Sequence, residues 1–239
     1  MARLSRLTLV FAVLFAVFIV GLPFLSSQFG PYPLMKTQDA VDLLTPMVLI
    51  PVYWLLFQLE PGRSAKNGEM IAFLMLAALW VEGQGIHLAA NSIGHLTEAF
   101  GGSTAASLTY FYDEILSHYM WHAGIIGLSL LLILRQWRQP FVGQRSDLGR
   151  EVGAGVLHGL SFGLMVLEGV TAFMGLPVAG LVVLFVLGWG RGRLRQQPVL
   201  AFFFVAYLAA TILFLAWRLY WGCFIEPFDA LQRLGARGC

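Results

Sequence analysis

The chain has 239 residues, 58% hydrophobic and 12% charged, with a formal net charge of +2 and a mean hydropathy of +0.75. Soluble domains carry about 25% charged residues, so this composition excludes a water-soluble globule, and 19 Phe, 7 Trp and 7 Tyr exclude disorder. The positive charge is too small and too scattered for nucleic acid to be a partner. What fits is an all-α, polytopic integral membrane protein forming a single transmembrane domain, with the lipid bilayer as its first partner.

A membrane-crossing helix needs roughly 20 mostly apolar residues, and the sequence predicts seven. The first covers about 7–25, ending at Pro23 and the Ser26-Ser27 pair. It also resembles a signal peptide, with Arg3 and Arg6 ahead of an apolar run, and is read as a helix. The second, about 41–59, carries Pro46 and Pro51 and stops before Pro61-Gly62. The third is long, about 69–96; the fourth runs over about 109–134; the fifth, about 151–174, is closed by Gly175 and Pro177. The sixth, 178–190, is short, and the seventh covers about 199–220. The apolar runs are continuous rather than alternating, which disfavours a strand-built barrel.

Basic residues set the expected orientation. With the N-terminus inside, the inner side receives Arg3, Arg6, Arg63, Lys66, Arg135, Arg138, Arg145, Arg150, Arg191, Arg193 and Arg195. The outer side receives only Lys36, Arg218, Arg233 and Arg237. The expectation is a cytoplasmic N-terminus and an outside C-terminus in a cell membrane. Cys223 and Cys239 have no metal or redox spacing and read as bystanders.

All five histidines fall inside spans: His87 and His95 on the third, His118 and His122 on the fourth, His158 on the fifth. Glu82, Asp113, Glu114 and Glu168 accompany them on the same three helices. Burying ionisable groups in hydrocarbon costs a few kcal/mol or more, so such a concentration marks function or mutual pairing. At about 100° per residue, His87, Asn91 and His95 share one stripe, and Glu114, His118 and His122 share another. Glu82 and Asp113 lie off these stripes; Glu82 joins only if Gly83 and Gly85 loosen the helix, and Asp113 is the weaker candidate. Glycines at 155, 159 and 163 form two G-x-x-x-G steps that permit a close helix neighbour, expected to bring His158 towards the other histidines.

Histidines four apart present two imidazoles on one helical face to a single ion. The expected metal ligands are His87, His95, His118, His122, His158, Glu114, Glu168 and Asn91, with Glu82, Glu114 and Glu168 as acid–base groups. This set exceeds the needs of one tetrahedral zinc, which favours two transition-metal ions, with iron ahead of zinc or copper. Counting from the helix ends places the site towards the outer side. Tyr119 is a candidate hydrogen-bond partner beside His118, whereas Ser92, Ser117 and Ser161 are expected to bond back to their own helices.

Three functions compete. A redox pair of ions would oxidise a lipid-like or membrane-soluble substrate, with an electron-donor protein as partner. Zinc would lower the pKa of a bound water to about 7 for hydrolysis of a lipid ester or amide. A proton or metal-ion pathway would follow the staggered polar ladder. The ligand surplus favours oxidation, the outward position hydrolysis. No H-x-x-H-H box of the membrane desaturase type is present, and no nucleotide motif.

Overall fold

A computed structural model describes residues 2–58, 65–97, 101–138 and 147–232, save the side chains of 2, 3, 32–34, 95 and 97. It is a helical bundle. Helix α1 (Ala2–Val20) leads through a short 3-10 turn to a two-stranded hairpin, β1 (Gln28–Phe29) and β2 (Tyr32–Lys36). Helices α2 (Thr37–Asp42) and α3 (Leu44–Gln58) follow, then α4 (Asn67–Thr97). The next crossing joins α5 (Thr104–Tyr110), a π-helical turn (Phe111–Ser117) and α6 (His118–Arg138). Helices α7 (Leu148–Glu168), α8 (Ala172–Phe185), α9 (Pro198–Trp221) and the short α10 (Pro227–Gln232) complete the described chain.

Among the described residues, six helical segments are long and apolar enough to cross a membrane: Thr37–Gln58, Asn67–Gly94, Thr104–Arg138, Leu148–Glu168, Ala172–Arg193 and Pro198–Trp221. Helix α1 contributes a shorter apolar stretch, Leu4–Val20. Large apolar side chains cover the outside, among them Leu74, Leu181, Leu184 and Leu219, as expected where hydrocarbon replaces water. These features are consistent with an integral membrane protein.

Three helices differ in extent from expectation. The first, expected over about 7–25, runs over Ala2–Val20 and gives way to a 3-10 turn at Leu22–Phe24. The fifth crossing ends at Glu168 rather than near 174, because Gly169, left-handed Val170 (φ 52°) and Thr171 turn the chain. Pro177 then lies inside α8 instead of ending a helix, so the sixth crossing, expected over 178–190, is the longer Ala172–Arg193. Pro177 is only six residues into α8, close to the first turn where a missing N–H is tolerated.

Two close helix pairs build the frame, α4 on α6 and α7 on α9, with α1 packed along α7. Glycines set both distances. A Cβ on Gly83 would fall 2.5 Å from Trp121 N and 2.8 Å from Ser117 O, and one on Gly124 would fall 2.8 Å from Leu76 O. The Gly83-Gln84-Gly85 segment is therefore a packing contact inside a continuous helix, not a break. On α7, Gly155 meets Phe202 O and Gly159 meets Ala206 O of α9, so the expected close neighbour is present. It is α9, which carries no histidine.

At the end of the bundle far from the histidines, Arg135 is 2% exposed and pairs with Glu69 at 2.5 Å. Its guanidinium also sits over the Phe57 ring, 4.6 Å from the centroid. Buried charge there is paired, as the apolar surroundings require.

Candidate functional site

The Gly83 contact brings α4 against α6 one turn before His87, and that decides which side chains meet. His87 and His118 ring centroids lie 4.8 Å apart, and His118 and His122 stack at 5.7 Å with a 16° interplanar angle. Trp121 covers the row from the side, 5.9 Å from both His87 and His118. The three imidazoles line one cavity of about 230 Å³, together with Asn91, Glu114 and Glu168. Six of the nine residues singled out from sequence thus converge.

Hydrogen bonds define the tautomers. His118 Nδ1 donates to the Glu114 backbone carbonyl at 3.0 Å, with the Glu114 carboxylate at 3.6 Å. His122 Nδ1 lies 2.6 Å from Thr171 Oγ1, whose own proton goes to the Val166 carbonyl. Thr171 therefore accepts, His122 Nδ1 carries the proton, and His122 Nε2 keeps its lone pair. That nitrogen is buried without a hydrogen-bond partner among the described residues. An imidazole fixed through Nδ1 with a bare Nε2 is the arrangement a metal ligand adopts.

Val170 (φ 52°) is β-branched and rarely adopts the left-handed region. The strained corner it forms seats Gly169 against both rings, since a Cβ there would fall 2.5 Å from His122 Cε1 and 3.2 Å from His118 Cγ. The same corner delivers Thr171 to His122. Strain of about 1–3 kcal/mol is retained where surrounding contacts over-determine a functional geometry.

Asp113 takes part after all. Its Oδ1 lies 2.8 Å from His87 Nδ1, off the direction of the ring N–H. The 100° rule set it aside, but residues 111–117 form a wider π turn in which each residue advances by less. Ser117 in that turn donates back to the Asp113 carbonyl, and Ser92 and Ser161 bond back likewise.

Two expected residues stand elsewhere. Glu82 is exposed on the outer face of α4. His158 is 3% exposed and enclosed by Phe11, Phe15, Phe202 and Phe203, with ring centroids 4.3–5.9 Å away. The position reflects its place on α7 facing α1 and α9, whereas Met165, Glu168 and Gly169 reach the cavity. The side chain of His95 lies outside the described residues. Tyr119 is 41% exposed and does not line the cavity.

The cavity also holds residues that sequence periodicity passed over: Gln38, Asp39, Asp42 and Glu226. Asp39 accepts from the Lys36 N–H in the capping box of α2. Asp42 Oδ1 accepts from Thr45 Oγ1 and Gln84 Nε2, each at 2.7 Å, and Gln84 Oε1 accepts from Trp80 Nε1. Glu168 accepts from the Phe228 N–H of α10. Burial, and then the charge of Asp229, holds the Glu226 carboxyl above the ordinary glutamate range. The signal was available: these acids crowd the chain segments flanking the same helix ends. Among the described residues the lining includes five carboxylates and three imidazoles but no Lys or Arg.

Among the described residues no group of three His, Cys, Asp or Glu is already arranged around a metal position. Cys223, beyond α9, is disulfide-bonded; Cys239 lies outside the described residues. No known protein family, curated protein or solved structure matches this chain.

Proposed function

We propose that the protein is a membrane-embedded metal-dependent enzyme whose site is the His87–His118–His122 cavity, and that its reaction is hydrolysis of a membrane-soluble ester or amide. The observation that carries this reading is the bare, buried Nε2 of His122 beside His118, in an acid-rich cavity with no cationic side chain among its described residues. His118 and His122 are the proposed first ligands, joined by His87 and one of Glu114 or Glu168. A zinc ion held there would supply a Lewis acid and a water of lowered pKa.

The chain's own groups do the rest. Thr171 and the Glu114 carbonyl hold the two imidazoles in the tautomer that leaves Nε2 available. Glu114 and Glu168 sit in the cavity wall as proton acceptor and donor. Trp121, Leu88 and Met165 limit water at the inner side of the site.

The sequence expectation ranked two redox ions first because of a surplus of ligands. With His158 enclosed by phenylalanines and Glu82 exposed, the surplus shrinks to what one ion needs, and the balance moves to hydrolysis. Transport loses support for a related reason: below His122 the described polar ladder gives way to the aromatic surround of His158.

In this reading α1 is a seventh crossing and the site opens on the outer side. Basic residues gather at the opposite end, which favours a cytoplasmic N-terminus. A disulfide at Cys223 fits an oxidising compartment on the site's own side.

Elemental analysis of the purified protein tests the proposal. One zinc per chain in the wild type, lost in His118→Ala and His122→Ala, supports it. Equal metal content in all three overturns it, and two irons per chain returns the oxidative reading to first place.

A further inference from the structure

A second cavity, about 500 Å³ and lined almost wholly by apolar groups, runs between α3 and α4. Met47, Ile50 and Pro51 form one wall, Val81 and Gly85 the other. Helix α4 packs along α6 and touches α3 only sparsely. Pro51 adds to the gap, because it lacks the N–H that would bond the Met47 carbonyl and its ring presses on that carbonyl.

The groove adjoins the site. Leu88 lines both cavities. Gln84, also in the groove wall, donates to Asp42 of the acid-lined cavity at 2.7 Å. From Leu43, level with Asp42, the groove follows α3 to Pro51, about 12 Å at 1.5 Å per residue. Its outer lip is exposed, with Met47 at 69% and Val81 at 50%, so in a bilayer it opens to hydrocarbon.

We infer that this groove receives the alkyl chain of an amphiphilic substrate whose neutral or cationic head lies in the His87–His118–His122 cavity. The inference rests on the function proposed above and names its substrate class. Each half of the ligand follows from one half of the paired cavities. An apolar furrow open sideways to lipid accepts a single unbranched chain without dehydrating polar groups. A head site lined by Asp39, Asp42, Glu114, Glu168 and Glu226, with no Lys or Arg among the described lining residues, disfavours phosphate and accepts a hydroxyl or ammonium group.

A similar apolar groove on the other side of α4, lined by Ile86, Ala89, Ile93 and Tyr112, shares no residue with the site. It serves as an internal control. A Cβ on Gly85 meets nothing within 4 Å, so Gly85→Phe fills the α3–α4 groove without displacing the fold. Ala89→Phe fills the other groove on the same helix.

The test is photolabelling of the full chain in lipid nanodiscs with a diazirine-bearing palmitoyl amide of ethylenediamine, mapped by peptide mass spectrometry. Metal content is measured in the same samples. Labelling concentrated in 43–51 and 81–88 is expected, reduced about tenfold or more by Gly85→Phe and unchanged by Ala89→Phe. A butyryl analogue should not compete, and a palmitoyl probe with a phosphate head should compete poorly. Labelling spread evenly over lipid-facing helices, or undiminished in Gly85→Phe, overturns the inference whatever the metal content. Groove labelling in a protein that binds no metal keeps the chain site and overturns only the metal-dependent reading.

Discussion

Thr171, at the corner between α7 and α8, places its hydroxyl oxygen 2.6 Å from His122 Nδ1 on α6. The contact spans 49 residues of sequence and ties the ring of one helix to the turn that ends another. Because the Thr171 hydroxyl proton is directed to Val166 O, the imidazole has one tautomer available.

Removing that acceptor should weaken metal binding without unfolding the bundle. Thr171→Val is expected to lower zinc affinity by about 10–100-fold, read by competition with a chromogenic chelator. Thr171→Ser keeps an oxygen in reach and should retain most of the affinity.

Gly169→Ala should be more damaging to the site than its size suggests. The added Cβ would lie 2.5 Å from His122 Cε1, so one or both rings must turn. Metal content is expected to fall, whereas thermal stability drops by only about 1–3 kcal/mol, the usual cost of overpacking. A variant that binds metal normally would refute the ring positions.

The left-handed Val170 predicts the opposite sign. Relieving a β-branched residue of that conformation with Val170→Gly or Val170→Asn is expected to stabilise the protein by about 1 kcal/mol. Thermal denaturation in detergent measures it, and metal content should stay at the wild-type level.

Gly159→Leu tests the frame rather than the site. Its side chain would collide with the Ala206 backbone on α9, and helix separation there depends on the missing side chain. Loss of folded, monodisperse protein is expected on size-exclusion chromatography, in contrast to the site variants.

Glu226 carries a pH dependence whose sign follows from its surroundings. Burial and Asp229 raise its pKa in the folded chain, so the folded state binds this proton more tightly than the unfolded one. Its contribution to stability is present below the ordinary glutamate value of about 4.3 and is lost as pH rises through the higher folded value. Glu226→Gln should therefore match the wild type in acid and exceed it modestly at neutral pH, since Glu226 is only half-buried and solvent screens much of the effect. Thermal midpoints of both proteins across that pH range give the answer.

His87, His118 and His122 were legible as a group because each follows from helical spacing within one element, and helices in an apolar slab keep that spacing. His158 was misjudged for a reason outside its own helix. The glycines of α7 admit a neighbour, but nothing local says whether that neighbour carries ligands, and α9 does not. Asp113 escaped because one π turn changes the face on which a side chain emerges, and the energy difference between α and π turns depends on packing more than on composition. Asp39 and Asp42 lie far in sequence from Glu226 and from the histidine helices, and no periodicity joins them to either.

The order of the amino acids alone determined that the chain is built of apolar helices and that its histidines fall on three of them, since transfer to hydrocarbon is a cost each residue incurs independently and the costs add along the chain. The tertiary structure decided which of those groups share a cavity. Convergence depends on helix separation, fixed by Gly83 against Trp121 and Gly159 against Ala206, and on the corner at 169–171. These contacts join residues distant in sequence, and their geometry is settled by close packing rather than by any local preference.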